Sequence, residues 1–194
     1  MLRSTGPPIL GDTALTHVYI VRCNFTAPEK EAAWNAWYSG PKIKQMLAQP
    51  YFRSCQRFRR SAGSGRDYLA LWVVESPEAL KTRQYVSQWG FAEWEGDVTA
   101  WSRDLFDADA RQARDFAVAR DGALEAVSFD GANTDEANAA RAKLPDIMWL
   151  PIAGLDRHTP VIGLRTLAQP RDPGPSGAKQ QHGIYRPLFD FQTP

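Results

Sequence analysis

The chain has 194 residues, 43% of them apolar and 23% charged, which are the proportions of a folded globular protein. Lys and Arg number 23 against 22 Asp and Glu, so the net charge of +1 offers no large attraction to nucleic acid or an anionic membrane surface. No apolar run approaches the roughly 18 residues of a membrane helix, and the opening Met-Leu-Arg-Ser-Thr-Gly-Pro-Pro lacks the apolar centre of a secretory signal. A cytoplasmic protein is expected.

Residues 1–15, with Gly6, Pro7, Pro8 and Gly11, read as a flexible leader. His17–Asn24 is β-branched and aromatic and predicts a strand. Thr26-Ala-Pro-Glu29 has the spacing of a helix N-cap, and Trp34, Trp37 and Tyr38 then share a helical face. Ser39-Gly40-Pro41 interrupts that helix before Ile43, Met46 and Leu47 resume its period, so a kinked pocket wall is expected. Between Tyr51 and Arg60 the pattern alternates: Phe52, Ser54, Gln56 and Phe58 point one way, Arg53, Cys55, Arg57 and Arg59 the other. Ser61–Gly65 reads as a hairpin loop, and Tyr68–Val74 as an apolar strand for the middle of a sheet. Ser76-Pro77-Glu78 starts a capped helix that carries Leu80, Tyr85 and Val86 and ends near Trp89-Gly90. Val98–Phe106 completes an α+β unit of ferredoxin-like order, β-α-β-β-α-β.

The second half repeats the order in worn form. Ala123–Phe129 is a strand, Thr134–Lys143 a short helix, and Ile147–Leu150, Pro160–Leu167 and Ile184–Phe191 are further strands. Pro170–Gly183, rich in Pro, Gly, Ser and Gln, stands where the second helix belongs. Two ferredoxin-like units, over residues 16–110 and 111–194, are therefore expected. Cys23 and Cys55 fall on non-neighbouring strands and are expected to be free thiols.

The first half resembles the dimeric α+β barrel superfamily, and its EthD-like branch in particular. The resemblance is carried by Trp34-Asn-Ala-Trp37-Tyr38, by Met46-Leu-Ala-Gln-Pro50-Tyr-Phe52 leading into Arg57-Phe58-Arg59, and by Tyr68-Leu-Ala-Leu-Trp72 with Glu75-Ser-Pro-Glu-Ala-Leu80. It implies two sheets packed into a barrel, which the two units of this chain would form alone as a pseudo-dimeric α+β barrel, with a pocket between sheet and helices for a hydrophobic, often aromatic or polyketide-like, compound. EthD-like relatives usually follow the tryptophan–tyrosine pair with an acidic residue and a histidine. Here Ser39, Gly40 and Pro41 stand instead, so that acid/base chemistry does not transfer.

Of the three histidines, His17 opens the first strand on the face of Tyr19, Val21 and Cys23, while His158 and His182 fall in predicted loops. His17 is the candidate base, and Tyr38 can donate to a substrate or, with a lowered pKa, deprotonate it. Arg22 and Arg103, on strands expected to be adjacent, are candidates for holding an oxyanion, with Asp97 or Asp104 as partner for Arg103. Trp34, Trp37, Trp72, Trp101 and Arg57 are the candidate substrate-binding residues; an aromatic core would show the same stripe. No serine-nucleophile elbow, Walker sequence, dinucleotide fingerprint or metal-ligand spacing is present.

These readings combine into a cofactor-independent lyase or isomerase/cyclase that moves a proton on a small aromatic or polyketide-like molecule and stabilises the oxyanion. Cofactor-free monooxygenation and a non-catalytic binding or assembly role are the alternatives. Haem chemistry would need His158 or His182 as axial ligand. The partner expected is a small hydrophobic or aromatic substrate; no nucleic acid, membrane or metal partner is expected, and a homodimer is open to the chain.

Overall fold

The computed structural model describes residues 15–114 and 116–194. Nearly all of the expected leader lies outside the described residues. Eight strands form a closed antiparallel barrel: β1 (Leu15–Phe25), β2 (Phe52–Gly63), β3 (Tyr68–Val74), β4 (Val98–Asp109), β5 (Ala123–Phe129), β6 (Met148–Leu155), β7 (Val161–Leu167) and β8 (Gln180–Pro187). Around the barrel the order is β1-β3-β2-β8-β5-β7-β6-β4. The first half runs β4-β1-β3-β2 and the second β8-β5-β7-β6, the same ferredoxin-like order twice. The seams are β2 with β8 and β4 with β6, so one chain closes the ring and leaves no open sheet edge.

Alternation along each strand separates the barrel interior from an outward core on each half, the one on the second half being Val127, Phe129, Ala137, Ile147 and Val161. Val18, Ile20, Phe58, Phe106, Leu124 and Leu164 fill the barrel from both halves. Tyr19, Val21, Cys23, Cys55, Trp72 and Val74 face outward under the helices of the first half. Each such side chain removed from water contributes about 1.5–3 kcal/mol. Those helices are α1 (Glu31–Trp37), α2 (Ile43–Leu47) and α3 (Arg83–Gln88), with α4 (Ala110–Arg114) following β4 and α5 (Thr134–Arg141) in the second half. Among the described residues no helix is long and apolar enough to cross a membrane.

Several details differ from expectation. Thr26 does not cap α1: its hydroxyl donates to the Asp97 carbonyl at 3.0 Å, and the helix starts behind Lys30 without a side-chain cap. The expected second helix is split, because Ser76 caps a 3-10 turn over Pro77–Lys81 and extended Thr82 then caps α3 by accepting from Tyr85 N at 3.1 Å. A register shift against β3 lies between Phe52 and Ser54, and it sends Phe52 to the outward face with Cys55 instead of the Phe58 face. In the second half β8 begins at Gln180, earlier than expected, because Gln180–Tyr185 pair with β5. No helix stands between β7 and β8, as expected from the Pro/Gly content.

Candidate functional site

The break at Ser39-Gly40-Pro41 is one π-helical turn, Tyr38–Lys42, joining α1 to α2. Proline has no N–H to give, and a wider turn accommodates it without ending the helix. The wider turn brings Trp34, Tyr38, Lys42 and Met46, four residues apart each time, onto the inward face. A lysine therefore enters an apolar wall, only 7% exposed.

Lys42 lines a narrow cavity between the outward face of the first-half sheet and the helices, together with Tyr38, Tyr19, Trp72, Tyr85 and Arg103. Val21, Met46, Trp89, Gly90 and Phe91 complete the wall. The free space is about 20 Å³ for the centre of a water-sized sphere, room for about one water, so a ligand must push the wall outward. The Gln88–Phe91 stretch after α3 forms the outer wall, turned by Gly90 at φ +95° and held by Lys42 Nζ donating to the Gln88 carbonyl.

The electrostatics of this cavity are one-sided. Burial lowers the Lys42 ammonium from its ordinary 10.5 to about 8. Behind Tyr38 lies Arg57, 1% exposed, which donates to Ser39 Oγ at 2.9 Å and Asn35 Oδ1 at 3.0 Å. Its guanidinium carbon is 4.0 Å from the Tyr38 ring centre and 4.7 Å from that of Trp34. Among the described residues neither Lys42 nor Arg57 meets a carboxylate. Tyr19 and Tyr85 share a hydroxyl–hydroxyl hydrogen bond of 3.0 Å, and the buried Trp72 Nε1 has no partner.

Of the sequence candidates, Tyr38, Trp72 and Arg103 line the cavity, and Trp34, Trp37 and Arg57 stand behind it. Tyr38 differs from expectation in its acidity: burial raises the phenol above its ordinary value, which Arg57 only partly offsets, so it serves as a hydrogen-bond donor and not as a base. His17 is not part of the cavity wall; its Nε2 lies 3.4 Å from Asp107 near the start of β1. Arg22 and Arg103 are on neighbouring strands but opposite faces. Arg22 points into the barrel, bonded to Asp104 at 3.0 Å, Ser128 at 2.7 Å and Asp130 at 3.1 Å. Arg103 points outward and pairs with Asp156 at 3.3 Å rather than with Asp97 or Asp104. Trp101 sits at the cavity mouth against Trp89.

Lys42, Tyr19 and Tyr85 are absent from the sequence candidates. The four-residue spacing Trp34–Tyr38–Lys42–Met46 was the available signal for Lys42. Among the described residues the cavity wall holds no histidine to ligate a haem, and His182 Nε2 is committed to Glu125 Oε1 at 2.7 Å.

No protein-family model matches the chain, and no curated protein matches it. Solved structures do. An anthrone oxidase-like protein is 14% identical, with 93% of each chain covered and a TM-score of 0.50. Two mutants of chlorite dismutase from Candidatus Nitrospira defluvii are each 12% identical over 92% of this chain and 94% of theirs, with TM-scores of 0.51 and 0.52. At these identities the likeness is one of fold.

Proposed function

This chain has the fold of the dimeric α+β barrel superfamily, and from that premise we propose a cofactor-independent enzyme that takes a proton from a small aromatic carbon acid. The observation that carries this reading is Lys42, an amine without an acid partner in an aromatic cavity, brought to about 8 by burial. Roughly a tenth of it is then unprotonated at pH 7, a base near the operating pH.

In the proposed step neutral Lys42 takes a proton from a CH₂ carbon conjugated with an aromatic ketone, and the electron pair moves to the carbonyl oxygen. Tyr38 donates its hydroxyl to that oxyanion, with the Arg57 charge stacked behind its ring. A preorganised donor of this kind is worth about 10²–10³ in rate. The enolate then has two fates. Return of the proton to another atom of the enolate gives an isomerase outcome, attack on a second carbonyl of the same molecule with the proton going to the new alkoxide gives a cyclase outcome, and expulsion of a β leaving group that takes the proton gives a lyase outcome. Attack on molecular oxygen gives a peroxide anion, which takes the proton held by Lys42 and becomes a hydroperoxide. Loss of the remaining C–H proton then breaks the O–O bond, so that CH₂ and O₂ become C=O and water. The likeness to the anthrone oxidase-like protein is in keeping with the second fate.

Anthrone is a suitable probe. Oxygen uptake in air and deuterium exchange at its CH₂ without air should both be accelerated by the protein, and Lys42→Met should lower both rates about 10²–10⁴-fold. Acceleration of exchange alone selects the proton-transfer outcome. No acceleration of either process overturns the reading.

A further inference from the structure

Beyond the inner cavity the wall continues to the surface along β4. A bulge there puts Ala100 at φ +49°, where the register against β1 shifts, and the strand resumes with Trp101, Arg103 and Leu105 on the outward face. Trp101 is 38% exposed and Trp89, from the stretch after α3, is 40% exposed, which is unusual for tryptophan. Their ring centres are 6.0 Å apart at 54°, a tilted contact that leaves part of each ring in solvent. The Arg103 guanidinium carbon lies 4.0 Å from the Trp89 ring and 5.7 Å from the Trp101 ring. Asp156 takes one Arg103 terminal nitrogen at 3.3 Å, and the buried Nε has no partner. Trp89 and Arg103 also line the inner cavity, so exposed indoles and buried pocket form one continuous surface.

We propose that Trp89, Trp101 and Arg103 form an entrance subsite that binds the distal ring of a polycyclic aromatic substrate carrying an anionic oxygen. The inference rests on the proposed function and adds the size and charge of the substrate. The exposed Trp101 face takes a planar ring by stacking beside Trp89, whose own ring carries the Arg103 guanidinium, and the guanidinium donors that Asp156 leaves free take a phenolate or carboxylate at the ring edge. A single ring seated in the inner cavity, with its wall pushed outward, leaves Trp101 uncovered. The occupant is the far end of the same small molecule, because the surface is continuous with the cavity.

The test uses the full chain, calorimetry, and three probes: benzoate, 9-anthracenecarboxylate and 9-anthracenemethanol. The tricyclic anion should bind at least tenfold tighter than benzoate. Trp101→Ala, at an exposed position, should remove most of that gain and leave benzoate within twofold. Arg103→Met should weaken the tricyclic carboxylate more than the neutral alcohol. Equal affinity for benzoate and 9-anthracenecarboxylate, or a Trp101→Ala variant that binds both as before, overturns the subsite while benzoate binding keeps the inner cavity in place. Should the indole pair be a contact between two copies instead, Trp101→Ala would lower the sedimenting mass with both affinities unchanged, which also overturns the subsite. Failure of all three probes to bind removes both readings.

Discussion

Arg57 rests on the face of Tyr38, guanidinium carbon to ring centre 4.0 Å, and no carboxylate among the described residues neutralises it. Asn35 and Ser39 take its N–H groups, and Trp34 covers another face, so α1 and the π turn supply everything that an acidic partner would. Its hydrogen bonds are satisfied and its charge is left over. Burial lowers the Arg57 pKa, and the neighbouring phenols and thiols only partly oppose that.

Removing the charge while keeping the volume should therefore separate stability from binding. Arg57→Met is expected to change stability by no more than about 2 kcal/mol, because an unpaired buried charge is itself costly. Arg57→Ala empties the space between Trp34 and Tyr38 and should cost about 3–5 kcal/mol. In both, benzoate should bind about tenfold more weakly, with benzyl alcohol little changed. Urea unfolding and calorimetry measure the two effects.

Lys42 gives a pH dependence of defined sign. Its folded value of about 8 lies below the ordinary 10.5, so between these pH values the unfolded chain holds a proton that the folded chain lacks. Stability should rise with pH across that window as the cost of burying the charge disappears. Lys42→Met should flatten the rise and be more stable than the parent below pH 8. Urea midpoints taken at pH 7 and across the window decide it.

The stretch between β7 and β8 is fastened to Glu125. Burial alone would raise that carboxyl, but hydrogen bonds from His182, Arg171 and Arg165 outweigh it and hold the group at about 2. Since the ordinary value is 4.5, this contribution is complete above pH 4.5 and is lost as pH falls towards 2. Glu125→Gln should lower stability at neutral pH, remove much of that acid sensitivity, and speed proteolysis between Pro170 and Lys179. Gly174→Ala should loosen the same segment, since its Cβ would lie 2.5 Å from His182 Cε1. Equal cleavage rates in parent and variants would count against the fastening.

Cys23 and Cys55 should behave as buried apolar groups. Burial pushes the Cys23 thiol up to about 12 and raises Cys55 as well, so neither supplies thiolate at neutral pH. A disulfide reagent should label the native protein only as fast as it unfolds, and both thiols at once in denaturant.

The Ala100 bulge offers a stabilising change. Glycine tolerates φ +49° without the clash that alanine suffers, so Ala100→Gly should gain about 1 kcal/mol in thermal or urea unfolding. A loss of stability would mean that the bulge is not strained.

The sequence carried the pattern of the fold well where neighbours decide it. Tyr68–Val74 and Ala123–Phe129 are strands over the expected spans, because unbroken apolar runs specify their own conformation in the middle of a sheet. Phe52 went to the unexpected face because one register shift in β2 reverses the alternation, and nothing local marks it. Of the partners of Arg22, Asp104 stands on the neighbouring strand β4, but Ser128 on β5 and Asp130 in the turn after it are brought to the same guanidinium by barrel closure. At the site, Tyr38, Trp72 and Arg103 were legible as aromatic and basic residues on predicted elements. Lys42 was passed over, because its four-residue spacing from Tyr38 and Met46 runs across the Ser39-Gly40-Pro41 break, where the π turn carries the inward face on.

A barrel assembled from two identical chains must make every substitution twice, so whatever suits a reaction at one sheet is imposed on the other. Here each half has its own residues. The outward face of the first half holds Tyr19, Tyr38 and Lys42, while that of the second holds Glu125, Arg165 and His182 under a Pro/Gly-rich strap. The two outward faces therefore differ, and a ligand of the Lys42 cavity should bind it at one molecule per chain and without cooperativity.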